Sequence, residues 1–443
     1  MPSDPGSTIS AAAREIETAQ ALAHAGRLAE AEQAARHVLV TDPEQVPALR
    51  FLASAALRRG AAGEAIDLLN RAAQVNRDDT GTLMELGIAY RVADRKDAAR
   101  AVLERALELG GGRDTAIRLL LANVLELDQR PELALLHYFR AILDAQQAGH
   151  WLADSTTPPA LRPLVNHAMG YVRDGRRALF NHTLPGSHGH NAANASGRID
   201  RALAIYLRDR HESPADPRQH PTLLYVPDLG TAPQPTLVQR DWLTTLLARV
   251  ATTGAEIETC LCWAARDPPT ALPSRMPSDA AKPQTDNAAS TPPGVRHAVI
   301  HRCGTVPDAT RRHAPQLLDA IAAAPLMRIP RYAPDVTLIA VPAAVRTATT
   351  YSRSNAGCSV VVGLPGSGDI EVTIGTDKHR LQAGDAIIGD GSYGIGYANP
   401  GAAEARVLVF DIWHPGLSTA EQQALTALLA AIVDFDTQLQ ELA

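Results

Sequence analysis

Few side chains in this sequence have both the type and the spacing for chemistry. Cys260 and Cys262 form a C-x-C pair, half of a thiolate metal site, but no second Cys/His pair stands at zinc spacing. They are therefore expected to act as small buried apolar groups. His188 and His190 form an H-x-H shortly after His182, among Pro, Gly, Asn and Ser, a composition that reads as a loop. His301, Cys303 and His313 offer imidazole and thiolate groups for a remodelled centre, although their spacing does not require one. His379 falls in a turn-like TDKHRL, and His414 in a Trp-His-Pro run. With Cys358 the cysteines number four in 443 residues, too few for a disulfide scaffold.

The composition limits what these groups can serve. Hydrophobic residues make up 45% and aromatics 4%, so the cores must be aliphatic and alanine-based. The formal net charge of −6 leaves no basic surplus, which argues against nucleic acid and anionic membranes as partners. No apolar run approaches the ~18 residues of a membrane span. The start, MPSDPGSTISAAAREI, lacks the pattern of a secretory signal, so a cytoplasmic protein is expected.

The first third repeats itself. Gly26, Gly60 and Asp94 step by 34 residues, as do Ala31, Ala65 and Ala99. The pairs Ala72 and Ala106, Leu52 and Leu86, and Ala55 and Ala89 keep the same phase. Small residues at fixed positions let two antiparallel helices cross closely, and short turns such as AGRLA, RGAAG and ADRKD join them. One such pair cannot bury its apolar face alone, so neighbours must stack. Leu86-Gly87, Tyr90, Ala99, Leu103 and Ala106 follow an order that resembles the tetratricopeptide repeat. Repeats are expected near 12–45, 46–79 and 80–113, with a looser one over 114–148. The resemblance implies a peptide partner on the concave face, where Arg50, Met84 and Arg91 would contact acidic or apolar peptide ends.

Farther on, PPALRPLVNHAMGYVRDGRRALF and SGRIDRALAIYLRDR read as helices, and TLLYVPDLG (222–230) as a short buried strand. Residues 237–259 read as one long amphipathic helix. Residues 265–295, rich in Pro, Ala, Ser, Asp and Thr, read as a flexible insertion. From 334 the pattern becomes short strands: VTLIAV (336–341), SVVVGL (359–364), DIEVTIG (369–375), DAIIG (385–389) and ARVLVFDIW (405–413). A closing helix over 418–435 begins with a capping box, Ser418 with Glu421.

The run Phe410-Asp411-Ile412-Trp413-His414-Pro415-Gly416-Leu417-Ser418, with Glu421, resembles the C-terminal signature of the aspartyl/asparaginyl β-hydroxylase family. Gln382-Ala383-Gly384-Asp385, leading into Ile387-Ile388-Gly389-Asp390, resembles the family's approach to its second iron ligand. Leu364-Pro365 and Ala333-Pro334-Asp335-Val336 resemble the end of its central strand and the start of its barrel. The resemblance implies an α+β multidomain chain. Its parts are a tetratricopeptide α-solenoid (10–148), a mainly helical connector packing on the next domain (149–264), the insertion (265–295) and a double-stranded β-helix, or jelly roll (296–443). It also implies iron(II)- and 2-oxoglutarate-dependent hydroxylation of Asp or Asn side chains. Such a site needs imidazoles on iron and basic donors on the oxoacid.

The sequence departs at those positions. The first iron-binding His falls on Ser352 and the second on Gly394, within GSYGIGYAN (391–399). No His occurs between His313 and His379. The oxoacid-contacting basic positions of the central strand fall on Ser359, Val361 and Gly363. Arg406 lies one residue from the family's later basic position, which in a strand means the opposite face. Tyr351, Tyr393 and Tyr397 are expected near the cavity mouth. The chain is thus expected to be a peptide- or protein-binding module that has lost its iron ligands and needs no cofactor. The alternatives are an active iron/2-oxoglutarate hydroxylase with displaced ligands and a cupin-like module for a small molecule.

Overall fold

The computed structural model describes residues 5–184, 197–237, 241–266 and 292–442. His188, His190 and most of the 265–295 stretch lie outside them. The chain divides into two compact units, Met1–Arg176 with Gln438–Ala443, and Arg177–Thr437.

The first unit is a helical repeat of tetratricopeptide type. Its pairs are α1 (Pro5–His24) with α2 (Leu28–Thr41), α3 (Val46–Arg58) with α4 (Ala62–Val75), α5 (Thr80–Val92) with α6 (Lys96–Leu109), and α7 (Thr115–Leu127) with α8 (Pro131–Gln147). The 34-residue phase is a burial phase: Ala31, Ala65, Ala99, Ala72 and Ala106 are all fully buried. The turn between paired helices repeats as well. Gly26, Gly60, Asp94 and Gln129 all adopt left-handed φ, from 55° to 79°. Each ends its helix the same way, with the next N–H bonding back across the turn, as in Arg95 N to Tyr90 O and Arg130 N to Leu125 O. Gly87 permits the closest approach, since a Cβ there would lie 2.6 Å from Leu103 Cδ2.

The expected boundary at 148 falls inside this unit. α9 (Arg162–Thr183) packs Tyr171 and His167 against Tyr138 of α8, with ring centroids 5.3 and 6.0 Å away. Buried Arg118 donates to the carbonyls of Gly112 and Leu442, the latter at 2.8 Å.

The second unit holds two antiparallel sheets. Its strands are β1 (Arg296–His301), β2 (Val336–Val341), β3 (Gly357–Gly363), β4 (Ile370–Ile374), β5 (Asp377–Leu381), β6 (Ala386–Gly389), β7 (Ile395–Ala398) and β8 (Ala405–Trp413). The orders are β1-β2-β8-β3-β6 and β5-β4-β7. Between the sheets lies an aliphatic core that includes Val341, Val361, Val372, Ile374 and Val407. The other face of the larger sheet packs against α11 (Asp241–Val250), α12 (Gly254–Arg266) and α14 (Pro315–Ala322). α10 (Gly197–Tyr206), α13 (Asp308–His313) and α15 (Thr419–Glu441) complete the helices described. The capping box stands: Ser418 N donates to Glu421 Oε2 at 2.8 Å, and Glu421 N to Ser418 Oγ at 3.3 Å.

Two elements differ from expectation. The single helix over 237–259 is two helices, broken by a turn ahead of Gly254. TLLYVPDLG is not a strand; Leu224 makes one bridge to Ser354, and Asn355 holds the backbone of Val226 from both sides.

Gly87→Val is expected to cost about 1–3 kcal/mol by overpacking Leu103, read as a lower urea midpoint. Burial holds the His414 and His137 imidazoles down to about 4, against 6.5 for a free imidazole. The unfolded chain therefore takes up protons first. Stability is complete above pH 6.5 and falls as pH drops from 6.5 toward 4, by roughly 3 kcal/mol for His414 alone. His414→Asn, which keeps an acceptor for Gly416 N–H, is expected to flatten that slope in urea melts.

Candidate functional site

β8 organises the polar end of the second unit. Ala405, Val407 and Val409 face the inter-sheet core, while Leu408, Phe410 and Ile412 face the helices. Continuing that alternation, Asp411 projects from the inner face, directly across from Ser359 on β3. Ser359 Oγ donates to Asp411 Oδ1 at 2.7 Å. Asp411 then lines a cavity of about 200 Å³ with Met327, Tyr332, Asp335, Tyr351, Ser352 and Arg353.

Local bonding fixes each wall. Arg353 donates to the Tyr332 carbonyl, lies 3.9 Å over the Tyr332 ring and stands 3.5 Å from Asp335. Asp335 Oδ1 accepts from Cys303 N at 2.6 Å. The backbone of Ser352 and Arg353 is held by an upstream segment, through Thr222 N to Ser352 O at 3.1 Å and Leu223 N to Arg353 O at 2.8 Å. Behind them Asp390 accepts from Gln219 Nε2 at 2.9 Å and from Ser392 N at 2.8 Å. Burial pushes the Asp411 and Asp390 carboxyls above the usual aspartate value of 3.8, against the hydrogen bonds that favour ionisation.

The positions singled out by the resemblance are partly gathered here. Ser352 lines the cavity, and Ser359 reaches it through Asp411. Both lie beside Gly391, where a Cβ would be 3.0 Å from Ser352 Cβ and 3.2 Å from Ser359 Oγ. Gly394 has φ +86°, and a Cβ there would lie 2.6 Å from Thr349 Cγ2 and 2.8 Å from Tyr351 Cε1. Val361 is sealed in the aliphatic core between its cross-strand partners Ile387 and Val409. A Cβ on Gly363 would meet the Gln382 carbonyl at 2.1 Å. Arg406 lies on the other sheet face, paired with Glu258 at 2.6 Å and Glu404 at 2.9 Å, as its one-residue offset requires. Tyr351 is at the cavity, whereas Tyr393 and Tyr397 belong to the inter-sheet core.

Neither Ser352 nor Gly394 supplies an imidazole, and among the described residues no three His, Cys, Asp or Glu side chains are grouped to hold a metal ion. His301 lies on β1 with Arg328 and Arg311 close enough to disfavour its protonation, after burial itself. His379 pairs with Val372 as part of β5 rather than forming a turn. Cys260 is buried but Cys262 is exposed, because two positions on α12 turn the side chains about 200° apart.

Asp335, Arg353, Tyr332 and Asp411 are the site residues that sequence reasoning passed over. One signal was available for Asp411, an acid at an inward position of an otherwise aliphatic alternating strand.

In the solenoid, the expected contact residues take part in helix-to-helix links. Arg50 of α3 grips Glu85 of α5 with two bonds, at 2.7 and 3.1 Å, and lies 3.5 Å from Asp79. Arg91 of α5 donates to Asn123 of α7 at 3.1 Å. Glu126 of α7 meets His167 of α9 at 2.8 Å and accepts from Tyr138 at 2.8 Å. Met84 stands half-buried among them.

No family model matches the chain, and no curated protein does either. Among solved structures, a crystal structure of MamA is similar at 20% identity, covering 36% of this chain and 96% of its own, with a TM-score of 0.27. PilF of Pseudomonas aeruginosa is similar at 16% identity, covering 46% and 88%, with a TM-score of 0.33. The Cupin_2 domain of an XRE family transcriptional regulator from Enterobacter cloacae is similar at 15% identity, covering 18% and 81%, with a TM-score of 0.17. Among the described residues, no helix is long and apolar enough to cross a membrane.

Because the folded chain holds the Asp411 proton more tightly than the unfolded chain does, ionising it costs stability at neutral pH. Asp411→Asn keeps an acceptor for Ser359 and is expected to raise the melting temperature at pH 7. The gain should vanish as pH falls below 3.8, the ordinary aspartate value. Calorimetric scans across that range check the sign.

Proposed function

We propose that the chain is a binding scaffold. In this reading a tetratricopeptide-type solenoid engages a peptide or protein partner. It is joined to a jelly roll of the aspartyl/asparaginyl β-hydroxylase type that no longer supports iron-dependent chemistry. The strand order is the observation that supports the jelly roll. Segment 346–350 bridges to β7 at Arg346–Ala398 and Thr350–Ile395. With that segment counted, successive chain segments from β2 to β8 supply four positions to each sheet, β2-β8-β3-β6 and 346–350-β7-β4-β5. Eight positions in two facing sheets are what a jelly roll requires.

The loss of chemistry is supported by how thoroughly the ligand positions have been rebuilt. Gly394 sits in a left-handed conformation against Thr349 and Tyr351, so a histidine there would be strained as well as crowded. Gly363 leaves no room for a side chain, and Val361 belongs to the core. No cation therefore stands on β3 to receive an oxoacid. An active hydroxylase with displaced ligands would need a new set of donors, and the described residues do not group one.

For the solenoid, the support is its geometry. α3, α5, α7 and α9 form a continuous row whose polar side chains link neighbour to neighbour. Those links leave Arg50 largely neutralised by Glu85 and Asp79, so an acidic peptide end would have to compete with them.

Anaerobic titration with iron(II) and 2-oxoglutarate tests the reading, with no saturable binding expected in the micromolar range. Micromolar binding of the pair, or succinate formation that depends on iron, would overturn it.

A further inference from the structure

The cavity beside Asp411 has more hydrogen-bonding capacity than the chain uses. Asp411 Oδ1 accepts from Ser359, while Oδ2 has no partner among the described residues. Tyr332 lines the same cavity and is only 4% exposed, and its hydroxyl makes no hydrogen bond among the described residues. The one cation on the lining, Arg353, is already engaged by the Tyr332 carbonyl, the Tyr332 ring and Asp335. The lining therefore carries two carboxylates against one guanidinium; Arg353 lies close enough to favour the ionised Asp411, but its ion pair is with Asp335, and Asp411 makes none among the described residues. A carboxylate taken from water without an ion-pair partner is costly, and part of that cost is recovered when a cation donates to it directly.

The remaining lining shows what the cation could be attached to. Met327, Tyr332 and Tyr351 supply thioether and aromatic surface suited to an alkyl stem or the face of a cation. Tyr351 is 38% exposed and stands edge-on to His220, with ring centroids 5.4 Å apart, so the cavity opens at this side. A small anion would meet Asp411 and Asp335 at close range and find Arg353 engaged.

We propose that this cavity binds a cationic nitrogen group, a primary ammonium or a guanidinium, that donates to Asp411 and Tyr332 with its alkyl stem along Met327 and Tyr351. The proposal rests on the reading of the second unit as a jelly roll without an iron centre. Two sources share this chemistry, a free amine and a lysine or arginine side chain of a peptide.

Isothermal titration of the full chain separates the sources, with agmatine and cadaverine as free amines and an acetylated, amidated arginine tripeptide as the peptide probe. Saturable binding of at least one cationic probe is expected, and the stronger arm identifies the source. Succinate, as the anionic control, should not bind. Asp411→Asn should weaken the cation roughly tenfold or more while melting at the same temperature or higher, which excludes misfolding as the cause. No binding of any cationic probe, equal binding by the Asn variant, or preference for succinate would overturn the proposal. A parallel titration with manganese(II) and 2-oxoglutarate keeps the two readings apart. Silence from both metal and amines removes the amine site alone, whereas metal binding removes the iron-free reading beneath it.

Discussion

β8 is paired along both edges, with β2 and with β3, and each of its faces meets a different neighbour. One face closes the inter-sheet core and the other receives three helices. A one-residue slip would drive Arg406 into the aliphatic interior and turn Leu408 and Phe410 away from the helices. Register is therefore strongly specified, and with it the place where the inward face stops being aliphatic. That place is Asp411. The polar cavity depends on the same strand alternation that builds the core.

The positions that the family resemblance points to are not holes with room for larger side chains. At Gly363 the neighbouring backbone has come within the volume a Cβ would occupy, and at Gly394 the backbone has a sign of φ that disfavours any side chain. Val361 fills its position with ordinary cross-strand packing. Ser352 and Ser359 differ, since both remain at or next to the cavity and keep polar partners. Val361 and Gly363 thus belong to packed structure, whereas Ser352 and Ser359 belong to the polar end.

Legibility in the sequence followed how local each constraint is. The solenoid could be read because close helix crossing and the left-handed turn each demand a small or permissive residue at one fixed position, as Ala31, Ala65 and Ala99 show. Strands β2, β3 and β8 could be read from their aliphatic runs. β5 could not: Asp377–Leu381 is an edge strand with only Leu381 buried, so it carries charge where a central strand carries valine. β7 is short and interrupted by Gly396. TLLYVPDLG misled because its backbone is satisfied by the Asn355 side chain, which leaves no trace in alternation. The cavity leaves no local mark in the sequence, because the groups that meet there are carboxylates and a guanidinium drawn from three distant stretches.

Asn355 has a consequence for the order of assembly. Its side-chain amide clasps Val226 by donating and accepting, across a sequence separation of 129 residues. The β3–β8 pairing, and the sheet core it closes, can form without that clasp. Bringing Val226 to Asn355 requires closing a loop that includes the whole 241–322 helical layer, with an entropic cost that grows with its length. The clasp is therefore placed among the late steps of folding.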